Sequence, residues 1–201
     1  MKAIETNYNG YRFRSRLEAR WAVFFDTLNI DYLYENEGFI LPQNGYYLPD
    51  FYLPKMKIFI EVKGTFPTQI EKEKAQELAN ESGCLVCIIF GGIPSSDYDW
   101  WCDNHNRENS NYMLTFTDGI IYNELVSLKS KEIGHIWGSN DTFLICDQCG
   151  KVSIENDIYF LEKCEGCKNS KQYNNRYRTT LPFDAFRKAR MARFEHREKP
   201  S

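Results

Sequence analysis

The sequence predicts an α/β fold: a mixed sheet flanked by helices, then a small cysteine-bearing module and a C-terminal helix. Three observations point there. Residues 57–90 read as strand, helix, strand, and strands joined by a helical crossover pair in parallel. Residues 46–53 and 57–63 read as two strands with a tight turn at Pro54 and Lys55, which adds an antiparallel neighbour. Two Cys-x-x-Cys pairs lie in the last third of the chain, beyond the region that carries the sheet pattern.

The elements follow in order. Residues 15–28, SRLEARWAVFFDTL, place Leu17, Trp21, Phe24 or Phe25, and Leu28 at helical spacing, with Ser15 as N-cap. Residues 30–34 read as a short strand, 46–53 (YYLPDFYL) as a longer one and 57–63 (KIFIEVK) as its partner. Residues 67–82 are rich in helix formers and carry Ile70, Leu78 and Ala79 as the apolar positions. Residues 84–90, CLVCIIF, form an apolar run stopped by Gly91-Gly92, as in a strand buried on both faces. Cys84 and Cys87 in that run point to opposite faces and read as small core residues. Residues 93–111 read as a loop or short helix, 112–122 as a hairpin, and 127–140 as a linker. The expected units are a core at 1–126, a cysteine module at 141–172 and a basic segment at 182–199 that is helical over 182–197.

Composition excludes some classes. With 42% hydrophobic and 15% aromatic residues, the chain of 201 residues can bury a real core and is not mainly disordered. No run approaches about 18 apolar residues, so no membrane span is expected, and the start lacks a secretory apolar run. Seven cysteines, four of them in two pairs, suit a reducing compartment and a metal site, which implies a cytoplasmic protein. The net charge of -3 does not advertise nucleic acid, but its distribution does. Arg12, Arg14, Arg16 and Arg20 form one basic cluster, and residues 176–199 hold eight basic against three acidic residues.

The chemistry concentrates in residues 48–64, LPDFYLPKMKIFIEVKG. Strand geometry sends Glu61 and Lys63 to one face and Ile60 and Val62 to the other. Charges on an otherwise apolar strand are costly unless compensated. A divalent cation shared with Asp50 of the neighbouring strand would compensate them, and Mg²⁺ takes one or two carboxylates together with phosphate. Such a site can polarise a phosphodiester while Lys63 stabilises developing negative charge. An ordinary Glu–Lys pair on a strand surface is the plain alternative.

This segment, with the helix before it and the crossover helix and buried strand after it, resembles the PD-(D/E)xK nuclease superfamily over about residues 12–90. The resemblance implies a restriction-endonuclease-like core, metal ligation by Asp50 and Glu61, and catalytic assistance by Lys63. RSRLEARWAVFF, residues 14–25, is similar to the helix preceding the core in phage-type members, which implies a place for Glu18 beside the metal. Ser15-x-x-Glu18 is also a capping box, an explanation that needs no metal. In the crossover helix Gln69, Lys74 and Gln76 could face DNA, Lys74 foremost, or simply form a solvated face.

Cys146-x-x-Cys149 and Cys164-x-x-Cys167, 14 residues apart, can bring four thiolates into the tetrahedron that suits Zn²⁺. This module resembles a zinc ribbon, with TFLI and IYFL as its strands, and four thiolates make its zinc structural. Cys102 has no assigned role, and His105, His135 and His196 are isolated and read as non-catalytic. In the last helix Arg187, Arg190, Arg193 and Arg197 recur at three- and four-residue spacing, and Phe183, Phe186 and Phe194 form an apolar edge. Such a face suits duplex phosphates, but a helix merely packed on the domain or lying on a membrane surface shows the same pattern.

The expected function is a DNA endonuclease using Mg²⁺ or Mn²⁺ with structural Zn²⁺; small nucleases of the superfamily that the chain resembles are frequent in phages and mobile elements. Cutting both strands with one site per chain would favour a homodimer, whereas nicking would not require one. The rival is a non-catalytic zinc-ribbon protein that grips nucleic acid or a host protein on a nuclease-like scaffold.

Overall fold

The computed structural model describes residues 3–94, 113–116, 142–146, 149–155, 160–161, 177–180 and 182–194. A small hairpin, β1 (Thr6–Tyr8) and β2 (Tyr11–Phe13), leads into helix α1 (Arg16–Thr27). Ser15 caps α1 by accepting from the Glu18 N–H, and Asn29 at φ +53° turns the chain away after it. Then follow β3 (Leu33–Tyr34), β4 (Phe39–Leu41), β5 (Gly45–Tyr47), β6 (Phe51–Leu53) and β7 (Ile58–Lys63). Helix α2 (Gln69–Ser82) crosses over to β8 (Leu85–Phe90), and β9 (Met113–Phe116) follows. Thr68 and Glu71 form a reciprocal capping box at the start of α2, and Gly83 at φ +62° ends it.

The main sheet has the order β3-β6-β7-β8-β9 and is mixed: β7 and β8 run parallel, and all other neighbours are antiparallel. The chain is therefore mixed α/β, and β7 lies at the sheet's centre. Its alternate residues enter two cores. Ile58, Ile60 and Val62 join Phe51, Leu53, Cys87 and Ile89 in a core with Trp21, Phe24 and Phe25 of α1. Phe59 joins Val86 and Ile88 in a second core under Ala75, Leu78 and Ala79 of α2. The sheet is thus a middle layer between the two helices. Cys87 lies in the first core and Cys84 packs at the second, on opposite faces as the strand period requires.

Two expectations need correction. Residues 46–53 are not one strand. Residues 48–50 separate β5, whose partner among the described residues is β4, from β6, which enters the main sheet. Pro49 lacks the N–H a ladder needs, and the Asp50 side chain makes a bond of its own, described below. The last helix, α3 (Phe183–Met191), stops well short of residue 197. Ala192 is extended at ψ 125°, so Arg193 stands beyond the helix and the line of arginines along one helical face is broken. Of the hairpin expected at 112–122, β9 is described, and its described partner is β8; the linker at 127–140 lies outside the described residues.

The later strands are β10 (Thr142–Cys146), β11 (Val152–Glu155), β12 (Phe160–Leu161) and β13 (Tyr177–Thr180), in the order β11-β10-β13-β12. Phe143 of β10 and Phe186 of α3 pack against α1: Phe24 lies 5.1 Å from Phe143 and stacks on Phe186 at 4.8 Å. These elements share the first core with the main sheet. No helix among the described residues is long and apolar enough to cross a membrane.

Candidate active site

The register of β6 and β7 pairs Phe51 with Ile60, so the next step outward sets Asp50 opposite Glu61. Asp50 leaves the ladder there, and its Oδ2 accepts the Val62 N–H at 2.7 Å. That bond fixes the carboxylate against the end of β7. Glu61 and Lys63 lie on the Phe59 face, which the second core also occupies. The charges therefore do not point away from apolar packing. They stand at its rim, where α2 begins.

Asp50 and Glu61 are each 7% exposed. Burial pushes the Asp50 carboxyl well above its ordinary range, and the charges of Glu61 and Glu18 push it further; the Val62 N–H and Lys63 oppose them without prevailing. Burial also raises the Glu61 carboxyl, despite Lys63. Glu61 Oε1 lies 2.7 Å from Lys63 Nζ. Its Oε2 and the hydroxyl of the neighbouring Tyr47 are both buried, and the two groups act on each other although no well-formed hydrogen bond joins them. Tyr47 is itself pushed well above its usual range, first by burial and then by Glu61 and Asp50.

Lys63 is half-buried and bridges two glutamates, Glu61 at 2.7 Å and Glu71 at 3.0 Å. Burial disfavours its charge, but the two carboxylates outweigh burial and hold the ammonium above its ordinary range. Glu71 has the opposite balance to Glu61. Desolvation raises it, yet the Thr68 N–H, Lys63 and the Thr68 hydroxyl lower its carboxyl overall.

Glu18 is also buried, but its oxygens are engaged. Oε1 accepts from Ser15 Oγ at 2.6 Å, and Oε2 accepts from Tyr34 Oη at 2.6 Å and from the Arg14 N–H at 3.0 Å. Ser15 therefore caps α1, but the Glu18 carboxylate takes the Ser15 hydroxyl and the Arg14 N–H rather than the Ser15 N–H of a reciprocal capping box. Glu18 is at the same time close enough to Asp50 to raise its carboxyl.

Among the described residues, no three His, Cys, Asp or Glu side chains are placed to hold a metal ion. The chemistry of the donor set fits a hard cation on different terms. Two carboxylates, one with a buried oxygen that makes no well-formed hydrogen bond, match the one or two that Mg²⁺ takes when water and phosphate complete its shell.

The remaining predicted residues are dispersed. Lys74 does not point freely outward: its Nζ donates to the Tyr46 carbonyl at 2.8 Å, tying α2 to β5. Glu77 completes that tie by accepting from the Gln43 N–H, the Asn44 N–H and Asn44 Nδ2. Arg187 is exposed and pairs with Asp184 at 2.9 Å; Arg190 is half-buried, and Arg193 is exposed past the helix end. At the end of β10, Cys146 is buried and Cys149 exposed. The Gly150 N–H bonds the Cys146 carbonyl at 2.8 Å with Gly150 at φ +71°. Cys164 and Cys167 lie outside the described residues, as do Cys102, His105, His135, His196 and Arg197.

Sequence reasoning missed Glu71, Tyr47 and Tyr34. A signal existed for Glu71, since Thr68-x-x-Glu71 repeats the capping pattern read at Ser15-x-x-Glu18. Comparison of the chain with protein-family models, curated proteins and solved structures finds no match.

Proposed function

We propose that the chain is a metal-dependent DNA endonuclease of the PD-(D/E)xK type that hydrolyses phosphodiester bonds at Asp50, Glu61 and Lys63. One observation carries the reading: two buried carboxylates of raised proton affinity stand together beside a lysine, and Glu61 Oε2 makes no well-formed hydrogen bond. A folded chain retains such a costly arrangement most readily where a cation is meant to relieve it.

Asp50 and Glu61 would hold Mg²⁺ or Mn²⁺. The ion supplies positive charge at the scissile phosphate and at the attacking water when bound. Asp50 is oriented by the Val62 N–H, and Glu61 by Lys63. Lys63 presents ammonium protons beside the carboxylates, where they can hold water and meet charge developing on phosphate. Glu18 adds negative field at Asp50. Cys146, Cys149, Cys164 and Cys167 would hold a structural Zn²⁺ in a zinc ribbon; four thiolates leave it no open position. Exposed Arg187 and Arg193, with Arg190 and Lys74, are the candidate phosphate contacts.

The test is incubation with plasmid and Mg²⁺. Wild type should cleave, EDTA should stop it, and Lys63→Ala and Asp50→Asn should each lose at least about 10²-fold in rate. Nicked against linear products separate a single-site cut from a paired one. Failure of wild type on supercoiled, linear, branched and single-stranded DNA would replace this reading with the non-catalytic binder.

A further inference from the structure

Among the described residues Lys63 has two partners, and only one of them belongs to the carboxylate pair. Glu71 stands in the first turn of α2 with its carboxylate divided between two tasks. Oε2 accepts from the Thr68 N–H at 2.7 Å and from Thr68 Oγ1 at 2.9 Å. Oε1 lies 3.0 Å from Lys63 Nζ. The capping box thus pins one oxygen, and the rigid carboxylate presents the other to the lysine. Glu61 is situated differently. A cation at Asp50 and Glu61 competes with Lys63 for the Glu61 carboxylate, and like charges at that range repel. A lysine held by Glu61 alone would be displaced as the site fills.

We propose that Glu71 is the positioning residue of Lys63: it retains the ammonium at the site when a cation takes Glu61. This rests on the nuclease reading for its purpose, though not for its geometry. The helix cap then has a second use. It converts the start of α2, fixed by Thr68, into a fixed anchor for a side chain that must stay in place while its other partner changes allegiance. A surface Glu–Lys pair contributes little by itself, because two flexible side chains must be ordered to form it. Here the glutamate is already ordered by its cap, so less freedom is lost.

The test follows the Lys63 Nζ resonance in the full chain by ¹⁵N-edited NMR, assigned through its loss in Lys63→Met. The variant is Glu71→Gln, since glutamine can keep the cap but carries no charge. In metal-free wild type the resonance is protected and visible; in Glu71→Gln it broadens. With Mg²⁺ added, wild type keeps the resonance and Glu71→Gln loses it. Thr68→Ala, which unpins Glu71, falls between them. The parallel kinetic expectation is a fall in kcat of about 10- to 100-fold for Glu71→Gln with KM unchanged, the range seen when an outer partner of a site residue is removed. A Lys63 resonance unaffected by Glu71→Gln, or lost from wild type on adding Mg²⁺, overturns the proposal. Should wild type neither bind Mg²⁺ nor cleave DNA, the nuclease reading fails, while the metal-free comparison still decides the role of Glu71.

Discussion

The two faces of β7 are made from the same six residues and do different work. On one, Ile58, Ile60 and Val62 meet the aromatic cluster of α1. On the other, Phe59 begins as core, but Glu61 and Lys63 replace apolar side chains as the strand nears its end. The first face stabilises the fold. Burying each large apolar side chain contributes roughly 1.5–3 kcal/mol. The second gives up such burial for two carboxylates, Asp50 and Glu61, that disfavour each other's charge and share one lysine. The difference teaches where to look for function: at the place where a central strand stops obeying the rule that its neighbours follow.

That contrast can be broken from either side. The largest effect belongs to the apolar face. Phe24→Ala removes a fully buried ring between Trp21, Phe143 and Phe186, and should cost about 3–5 kcal/mol in denaturant unfolding. Cleavage per folded molecule should survive it. Loss of cleavage at unchanged stability would mean that the two faces are not separable.

On the polar face the sign reverses, because Asp50→Asn should stabilise the metal-free chain at neutral pH. Folded Asp50 and Glu61 hold their protons more tightly than unfolded ones do. Well below the ordinary carboxylate range both states are protonated, and the contribution to stability is fully present. As pH rises, the unfolded chain ionises first, and the contribution is lost until the raised folded values are passed. Glu71 and Glu77, held below their usual range, act oppositely, so the quantity to read is wild type minus Asp50→Asn. In EDTA the wild-type melting temperature should fall relative to that of Asp50→Asn between acid and neutral pH. Parallel pH profiles would contradict the burial account.

The smallest effect concerns Glu18. Ser15→Ala removes the cap of α1 and should cost about 1 kcal/mol with little change in cleavage. Glu18→Gln can still cap but removes the charge near Asp50, and should slow cleavage less than Asp50→Asn does. Full activity in Glu18→Gln would confine Glu18 to capping.

Much of this was legible before any coordinates. The crossover unit, the caps at Ser15 and Gly91-Gly92 as a strand stop, and the shared direction of Glu61 and Lys63 follow from periodicity and local chemistry alone. What escaped depends on tertiary placement. Residues 46–53 alternate well enough to read as one strand, yet Pro49 cannot donate and Asp50 spends its side chain on Val62. Thr68-x-x-Glu71 shows in the sequence as a capping pattern, but nothing in it reveals that Lys63 lies beside the Glu71 carboxylate. Lys74 looked like a free cation because its acceptor, the Tyr46 carbonyl, comes from a hairpin 28 residues earlier. The arginine line assumed a helix that ends sooner, at Met191.

The central claim is that the Asp50–Glu61 pair is built to be relieved by a divalent cation. Calorimetric titration of the metal-free Asp50–Glu61 site with Mn²⁺, with zinc supplied beforehand to occupy the cysteine pairs, tests it most directly. The account predicts saturable binding to wild type that is abolished or sharply weakened in Asp50→Asn. Absence of binding to wild type, or equal binding to Asp50→Asn, would contradict it.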